Sequence, residues 1–247
     1  MLPLEVKEAI EIEFWEKSEI ECPSSDSLAN ILMKAAEARV FVEKLEKFNY
    51  LFSRAETVLE IGGGQCWASC VVKRLYPKVC VIGTDISPAA VASAHKWEHI
   101  FQVKIDGITA CRSYATSFSD QSFDLVFAYA AAHHFVRHRR TLQELYRIIR
   151  PGGVALYLHE PACRPFMHAA AYHRVNAKRP EVPEDVLLYQ RLEKFAEDAG
   201  LRTETVFAPT LTNRQPVQTV YFMVMQKLPF LQRILPTSVD MVFRKPL

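Results

Sequence analysis

Runs of apolar residues alternate along this chain with segments whose apolar residues recur every three to four positions. The runs predict buried strands, and the periodic segments predict helices that pack one face on a sheet. The predicted strands span residues 58–61, 79–84, 103–105, 110–114, 123–130, 154–159, 203–207 and 239–244. The predicted helices span residues 67–75, 88–101, 141–150 and 184–199. This alternation predicts an α/β fold with a mostly parallel sheet and helices on both faces.

Residues 1–53 precede the first strand and are predicted to form a helical cap or lid. Ile10, Phe14 and Trp15 share one helical face, and residues 25–27 (Ser-Asp-Ser) offer capping side chains for a second helix. Residues 54–247 would then form the main domain.

Two segments interrupt the alternation of strands and helices and are predicted to be insertions in the main domain, at about 161–183 and 213–236. The first contains four prolines and two histidines, and we expect it to form part of the wall of a substrate site. Within the second, residues 217–235 are mostly apolar. A core or lid helix is favoured there over a membrane-surface helix, because the segment has too narrow a polar face for a helix at a membrane surface.

Composition excludes several classes of protein. The 247 residues are 49% hydrophobic and 23% charged, as in an ordinary globular protein, and a net charge of +2 does not suggest nucleic-acid binding. The six cysteines form no CxxC pair, so the sequence predicts neither a zinc site nor a redox motif. No signal peptide and no apolar run of about 18 residues is found. We expect a cytoplasmic monomer or homodimer.

A glycine-rich loop follows the first predicted strand. Gly62, Gly63 and Gly64 come directly after the strand. Glu60 is the second-to-last residue of the strand, and Asp85 stands 21 residues beyond Gly64. Glycine lets the backbone approach a ligand closely, and an acid about 20 residues further on suits the hydroxyls of a ribose. The sequence therefore predicts a nucleotide-type cofactor at this loop.

Two cofactor classes compete for the loop. A dinucleotide requires a third glycine three positions after the second, where this chain has Trp67, and its pyrophosphate would be repelled by Glu60. S-adenosylmethionine has no phosphate, and its ammonium can be balanced by Glu60, directly or through water. The loop therefore favours S-adenosylmethionine, with S-adenosylhomocysteine as product, although a dinucleotide oxidoreductase stays open as a weaker alternative.

Several motifs together resemble the class I S-adenosylmethionine-dependent methyltransferases that act on small molecules, similar to those of ubiquinone and menaquinone biosynthesis. They are residues 58–65, 81–87, 122–126, 133–135 and 144–153. The resemblance implies a Rossmann-like sheet of seven strands whose last strand is antiparallel. It also implies a set of cofactor-binding residues: Glu60, Gly62, Gly63, Gly64, Gln65, Asp85, Ile86, Ser113, Tyr114, Ala128 and Tyr129. Arg112 replaces an acid that often binds the adenine amine, so Ser113 and backbone groups are expected there.

Candidates for the chemistry lie just past the ends of the predicted strands. A hydroxyl nucleophile needs a base, and His133 is preferred for that role, while Glu160 is a second candidate as base or substrate ligand. His134 and Trp15 are expected to line the substrate site or a lid. Arg137, Arg139 and Arg140 form a basic cluster, either a solvated face or an attractor of an anionic substrate. No metal site is expected, because no carboxylates accompany the histidines.

These observations predict a methyltransferase that acts on a small or medium-sized organic acceptor, with oxygen preferred over nitrogen or carbon as the methylated atom. A second hypothesis is a regulatory or partner-binding module that binds S-adenosylmethionine without transferring its methyl group. Neither nucleic acid nor a membrane span is expected among its partners.

Overall fold

The computed structural model describes residues 4–22, 27–177 and 185–247. Ten helices are found there: α1 (Leu4–Lys17), α2 (Leu28–Lys47), α3 (Asn49–Phe52), α4 (Trp67–Leu75), α5 (Pro88–Ala92), α6 (Ala94–Phe101), α7 (His138–Ile148), α8 (His168–Asn176), α9 (Tyr189–Asp198) and α10 (Pro216–Lys227). Short 3₁₀ turns cover Ala132–His134, Pro165–Met167 and Pro229–Arg233.

The same residues form one eight-stranded sheet. Its strands are β1 (Thr57–Ile61), β2 (Cys80–Asp85), β3 (Gly107–Ala110), β4 (Phe123–Tyr129), β5 (Ile149–Cys163), β6 (Leu187–Leu188), β7 (Arg202–Phe207) and β8 (Thr237–Arg244). The main order is β3-β2-β1-β4-β5-β8-β7, with β6 beside β5. Strand β8 runs antiparallel to both of its neighbours, and the other pairs are parallel. The predicted fold class is confirmed, with the short β6 as an addition.

Two apolar cores cover the faces of the sheet. One includes Phe41 of α2, Trp67 of α4 and Phe127 of β4, whose rings contact one another around Phe41. The other includes Leu142 of α7 and Leu192 of α9, packed on the opposite face. Because β1 and β4 are buried on both faces, their sequences are continuous apolar runs rather than alternating ones.

Several predicted boundaries were wrong. Residues 103–105 and 110–114 are not two strands, because β3 lies between them and pairs with β2 from Ile82 onward. Residues 103 and 105 instead close α6, where their backbone N–H groups donate to Glu98. The helix predicted over 88–101 is divided at Ser93, and β5 begins at Ile149, inside the helix predicted over 141–150. The helix predicted from 184 begins at Tyr189, after β6.

The two predicted insertions have different structures. Strand β5 runs through the start of the first, and α8 follows it, while residues 178–183 lie outside the described residues. In the second, α10 buries Phe222 and Met225 but leaves Val217 and Val220 more than half exposed, and Phe230 of the following 3₁₀ turn is also more than half exposed. The segment is therefore a surface helix rather than a core helix, and its role as a lid stays a prediction.

Two further sequence predictions concern the cap of α2 and the presence of a membrane-spanning helix. Ser27 precedes α2 without a capping hydrogen bond, and residues 25 and 26 lie outside the described residues. Across residues 4–22, 27–177 and 185–247, no helix combines the length and apolar character required to cross a bilayer.

Candidate functional site

The loop between β1 and α4 needs glycine at two positions. Gly62 and Gly64 have φ angles of 71° and 53°, which other residues rarely adopt. A Cβ atom at Gly62 would lie 2.9 Å from the Phe135 ring, and one at Gly64 would lie 2.7 Å from the Trp15 ring. Both the backbone geometry and the lack of space for a side chain therefore favour glycine here. Loops that approach a ligand closely use glycine for the same reasons.

Asp85 ends β2 directly beside this loop. Its carboxylate accepts the backbone N–H of Gly64 at 2.8 Å and that of Ser87 at 2.9 Å. Burial raises the pKa of Asp85 to about 6, although these two donors oppose the shift. Each oxygen keeps a further lone pair, so the side chain can still accept two hydroxyl groups, as a ribose would offer. This arrangement fits the predicted ribose contact.

Two adjoining cavities open in front of the loop. One of about 610 Å³ is lined by the predicted residues Asp85, Ile86, Ser113 and Tyr114. The other, of about 990 Å³, is lined by the glycine loop through Gln65, by Tyr129 and by His133. Trp15, Gly62 and His134 line both. The mixture of apolar walls with a few polar groups suits a nucleoside-type cofactor.

Two predicted cofactor residues do not line these cavities. Ala128 is buried within β4. Glu60 is only 2% exposed, and its carboxylate accepts the backbone N–H of Ser69 at 3.0 Å and the Ser69 hydroxyl. The expectation that Glu60 faces the ammonium of the cofactor finds no support in this geometry. Its side chain instead accepts hydrogen bonds in the first turn of α4.

His133 and Glu160 form a buried pair past the ends of β4 and within β5. The Nδ1 atom of His133 lies 2.8 Å from Glu160 Oε2, and Glu160 also accepts the backbone N–H groups of Ala131 and Ala132. Burial alone would raise the pKa of Glu160, but His133 and these N–H groups hold it below its ordinary value. Glu160 is therefore ionised, Nδ1 carries the hydrogen, and Nε2 of His133 is left to accept a proton.

Glu160 is completely buried, so it does not contact the cavities. The prediction that it acts as a base or substrate ligand was wrong about its position, since the side chain turns away from the rim toward the Ala132–His134 turn. It is a positioning residue that fixes the tautomer and orientation of His133, which itself lines the larger cavity.

Helix α1 covers the cavities with one face. Glu8 accepts from Arg112 Nε at 3.0 Å and from the Tyr114 hydroxyl at 2.6 Å, and Glu11 lies 3.3 Å from His134 Nδ1. Arg112 therefore contacts the cap. Burial alone would raise the pKa of Glu11, but His134 and His133 hold it below its ordinary value.

Trp15 lies further along the same face of α1 and packs on Gly64. Its position fits the predicted lid.

Glu8, Glu11 and the buried Lys34–Glu21 pair also line the cavities, and sequence reasoning did not assign them a role. The spacing of three between Glu5, Glu8 and Glu11 was the available signal, because it places the three acids on one face of a helix. Lys34 and Glu21 had no such signal, since only the packing of α2 brings them together. Within the described ranges, no group of three or more His, Cys, Asp or Glu side chains could hold a metal ion.

Comparison with known proteins adds an independent observation. Residues 59–157 match the sequence profile of a methyltransferase domain family. A phthiotriol/phenolphthiotriol dimycocerosates methyltransferase of Mycobacterium tuberculosis is 29% identical over 141 residues, which are 53% of this chain and 49% of that protein. A demethylmenaquinone methyltransferase of Thermus thermophilus is 27% identical over 104 residues, which are 42% of this chain and 47% of that protein. The chain thus spans about half the length of these curated relatives.

A solved structure resembles the whole chain. Geranyl diphosphate C-methyltransferase from Streptomyces coelicolor, in complex with Mg²⁺, geranyl diphosphate and S-adenosyl-L-homocysteine, superposes with a TM-score of 0.71 at 13% identity. The match covers 99% of this chain and 98% of that one, so the two share their fold from end to end.

Proposed function

By its domain and its fold this chain belongs to the class I S-adenosylmethionine-dependent methyltransferases, and we propose that it methylates a small or medium-sized organic acceptor. The observation that supports this best is that Gly62 and His134 border both the cavity lined by Asp85 and the adjoining cavity lined by the glycine loop and His133. When bound, S-adenosylmethionine supplies an electrophilic methyl group.

In this proposal the residues around the loop hold the cofactor. Asp85 accepts the ribose hydroxyls, Ile86 packs on the adenine, and the backbone of Gly62–Gly64 borders the methionine part. Ser113 and Tyr114 line the nucleoside side of the cavity. Positioning of this kind accounts for much of the rate of a group transfer, because it converts a bimolecular step into a step between held partners.

His133 would remove the proton of the acceptor. Its Nδ1–H is held by Glu160, so Nε2 can accept a proton from a hydroxyl group in the larger cavity. Oxygen is therefore the preferred accepting atom, and nitrogen or carbon stays open. The curated relatives named above carry hydroxylated lipid and quinone substrates in their names. These names support an acceptor with an apolar body.

Two alternatives lead to different experimental results. A site without a base near the cofactor would favour a non-catalytic binding module. His133, however, lines the cavity that includes the glycine loop. A dinucleotide oxidoreductase would bind NAD. Calorimetry with S-adenosylhomocysteine and with NAD, followed by transfer of labelled methyl groups to hydroxylated lipids and quinols, tests all three.

We expect S-adenosylhomocysteine to bind and NAD not to bind, with label appearing in at least one hydroxylated acceptor. Binding of NAD alone would contradict the proposal. Binding of S-adenosylhomocysteine with no transfer to any acceptor would support the non-catalytic module instead.

A further inference from the structure

A third cavity, of about 1250 Å³, lies between the start of α7 and the start of α9. Five cationic side chains line it, and Asp185 supplies the one carboxylate among its described lining residues. The cations are Lys7, Arg137, Arg139, Arg140 and Arg191. Asp185 itself lies 2.9 Å from His168 Nε2. We call this cavity the basic groove.

The cations of the basic groove are only partly neutralised by the protein. Arg137 pairs with Glu5 and Arg139 with Asp198. Arg191 lies over the face of the Phe195 ring at 5.3 Å, and an aromatic face does not cancel its charge. Within the described part of the chain, neither Arg191 nor Arg140 forms an ion pair with a carboxylate. The groove therefore keeps positive charge that can attract an anion.

The start of α7 makes this charge unusual. Arg137 occupies the N-cap position, but its side chain makes no capping hydrogen bond to the helix. Arg139 and Arg140 occupy the first turn, which has no acidic residue. The first turn also presents backbone N–H groups without helical partners, so cations there are electrostatically unfavourable. The Nδ1 atom of His138 is buried and has no partner among the described residues. An anion in the groove would relieve both features, because N–H groups and arginines both bind it.

The basic groove adjoins the site of the proposed reaction. A small cavity lined by His133 shares Lys7, Phe135, Val136 and Asp185 with the groove. Apolar side chains, among them Leu187 and Leu192, form the rest of its wall. A molecule whose reacting group lies at His133 would therefore extend along apolar walls to the arginines.

We propose that the basic groove binds a phosphate ester carried by the acceptor, which makes the acceptor an anionic amphiphile. Guanidinium groups match the geometry of phosphate and bind it through paired hydrogen bonds, so several arginines at a helix N-terminus favour phosphate over a neutral polar group. The link from the groove to the acceptor rests on the proposed function above, whereas binding of phosphate by the groove does not.

The test uses the full chain saturated with S-adenosylhomocysteine and octyl phosphate as the probe, measured by calorimetry. The double variant Arg140→Gln/Arg191→Gln removes the two arginines without carboxylate partners. The matched control Lys78→Gln/Lys104→Gln removes the same charge from exposed positions outside the groove. We expect octyl phosphate to bind the wild type and the control alike and the double variant at least tenfold more weakly, with the affinity for S-adenosylhomocysteine unchanged in all three.

Two further arms sharpen the result. Inorganic phosphate should bind more weakly than octyl phosphate, since it lacks the apolar contacts, and octyl phosphate should raise the Tm of the wild type more than that of the folded double variant. Equal affinity of octyl phosphate for all three proteins, no binding to the wild type, or equal binding of inorganic phosphate and octyl phosphate would overturn the proposal. Failure of S-adenosylhomocysteine to bind would instead contradict the proposed function, and the probe can be titrated without it.

Discussion

Glu60 shows how burial changes the chemistry of a single side chain. The residue is almost fully enclosed, and desolvation raises its pKa to about 7, although the hydrogen bonds from Ser69 oppose the shift. The folded protein therefore binds this proton more tightly than the unfolded chain does. The contribution of Glu60 to stability falls as pH rises from the ordinary value of 4.5 through about 7, which is opposite to the usual behaviour of a carboxylate.

We predict that Glu60→Gln weakens this pH dependence. The ligand-free wild type should lose up to about 3 kcal/mol of unfolding free energy through this group between pH 5 and pH 8, and the variant should not. Urea unfolding at both pH values measures the difference. Glu46→Gln, at an exposed position of α2, is the control and should keep the wild-type slope. The same slope in all three proteins would disprove the assignment.

His133 and Glu160 divide the proposed chemistry between a base and the residue that positions it. We expect His133→Asn to lower turnover by about 10² to 10⁴, the usual contribution of general-base catalysis. Glu160→Gln should lower turnover by a smaller factor and change its pH profile, because Nδ1 of His133 loses the carboxylate that accepts its hydrogen. The affinity for S-adenosylhomocysteine should stay within about twofold in both variants.

The control for this pair is His95→Gln, since the His95 side chain is largely exposed and contacts only Glu98 among the described contacts. Rates and pH profiles for the three variants follow from initial velocities across pH 5–9. A purely structural role for Glu160 would lower turnover without any movement of the pH profile, and that result would remove it from the mechanism.

At the scale of an element, α1 is held over the cavities by polar contacts rather than by a broad apolar face. Glu5, Glu8 and Glu11 each contact a basic or phenolic group of the main domain. Contacts of this kind are weakened by salt, and each contributes a modest free energy. Such a cover can open without disrupting the core, so we infer that opening of α1 limits release of the cofactor product.

We predict that Glu8→Gln/Glu11→Gln accelerates dissociation of S-adenosylhomocysteine about tenfold, corresponding to about 1.4 kcal/mol lost from the closed state. Stopped-flow fluorescence of Trp15, which packs on Gly64, follows the release. Raising NaCl should accelerate release from the wild type more than from the variant. Glu13→Gln is the control, since Glu13 pairs with Lys17 inside α1. Equal rates for the two variants would exclude the lid role.

At the scale of the whole molecule, a buried ion pair joins the N-terminal helices to the last strand. Lys44 of α2 lies 2.9 Å from Asp240 of β8, and Lys47 is equally close to its other oxygen. Burial alone would raise the pKa of Asp240, but the two lysines hold it below its ordinary value. Asp240 also accepts the backbone N–H of His159. Removing one partner leaves charges buried without compensation.

We therefore expect Asp240→Asn to lower the free energy of unfolding by about 3 to 5 kcal/mol at pH 7. Asp120→Asn is the matched control, because that carboxylate is 72% exposed beside Arg147 and should cost less than about 1 kcal/mol. Denaturant titrations of both variants at neutral pH give the two values. A loss at Asp240 no larger than that at Asp120 would show that the pair does not stabilise the closed fold.

The sequence by itself determined most of the sheet, the glycine loop and Asp85, because these depend on local properties. A strand buried on both faces is a largely apolar run, and a turn with positive φ and no space for a Cβ atom favours glycine. The tertiary structure decided which face each polar residue presents. Glu60 and Glu160 follow the same kind of apolar run as Asp85, yet packing turns them toward Ser69 and His133 instead of the cavity.

Long-range partners were equally beyond the sequence. Glu8 meets Arg112 across 104 positions and Lys44 meets Asp240 across 196, and nothing in either segment encodes the other. The basic groove arises in the same way, since the sequence shows an arginine cluster but not that Arg191 joins it from α9. Local patterns fix secondary structure and its buried faces, whereas the contacts that build a site depend on how those elements pack.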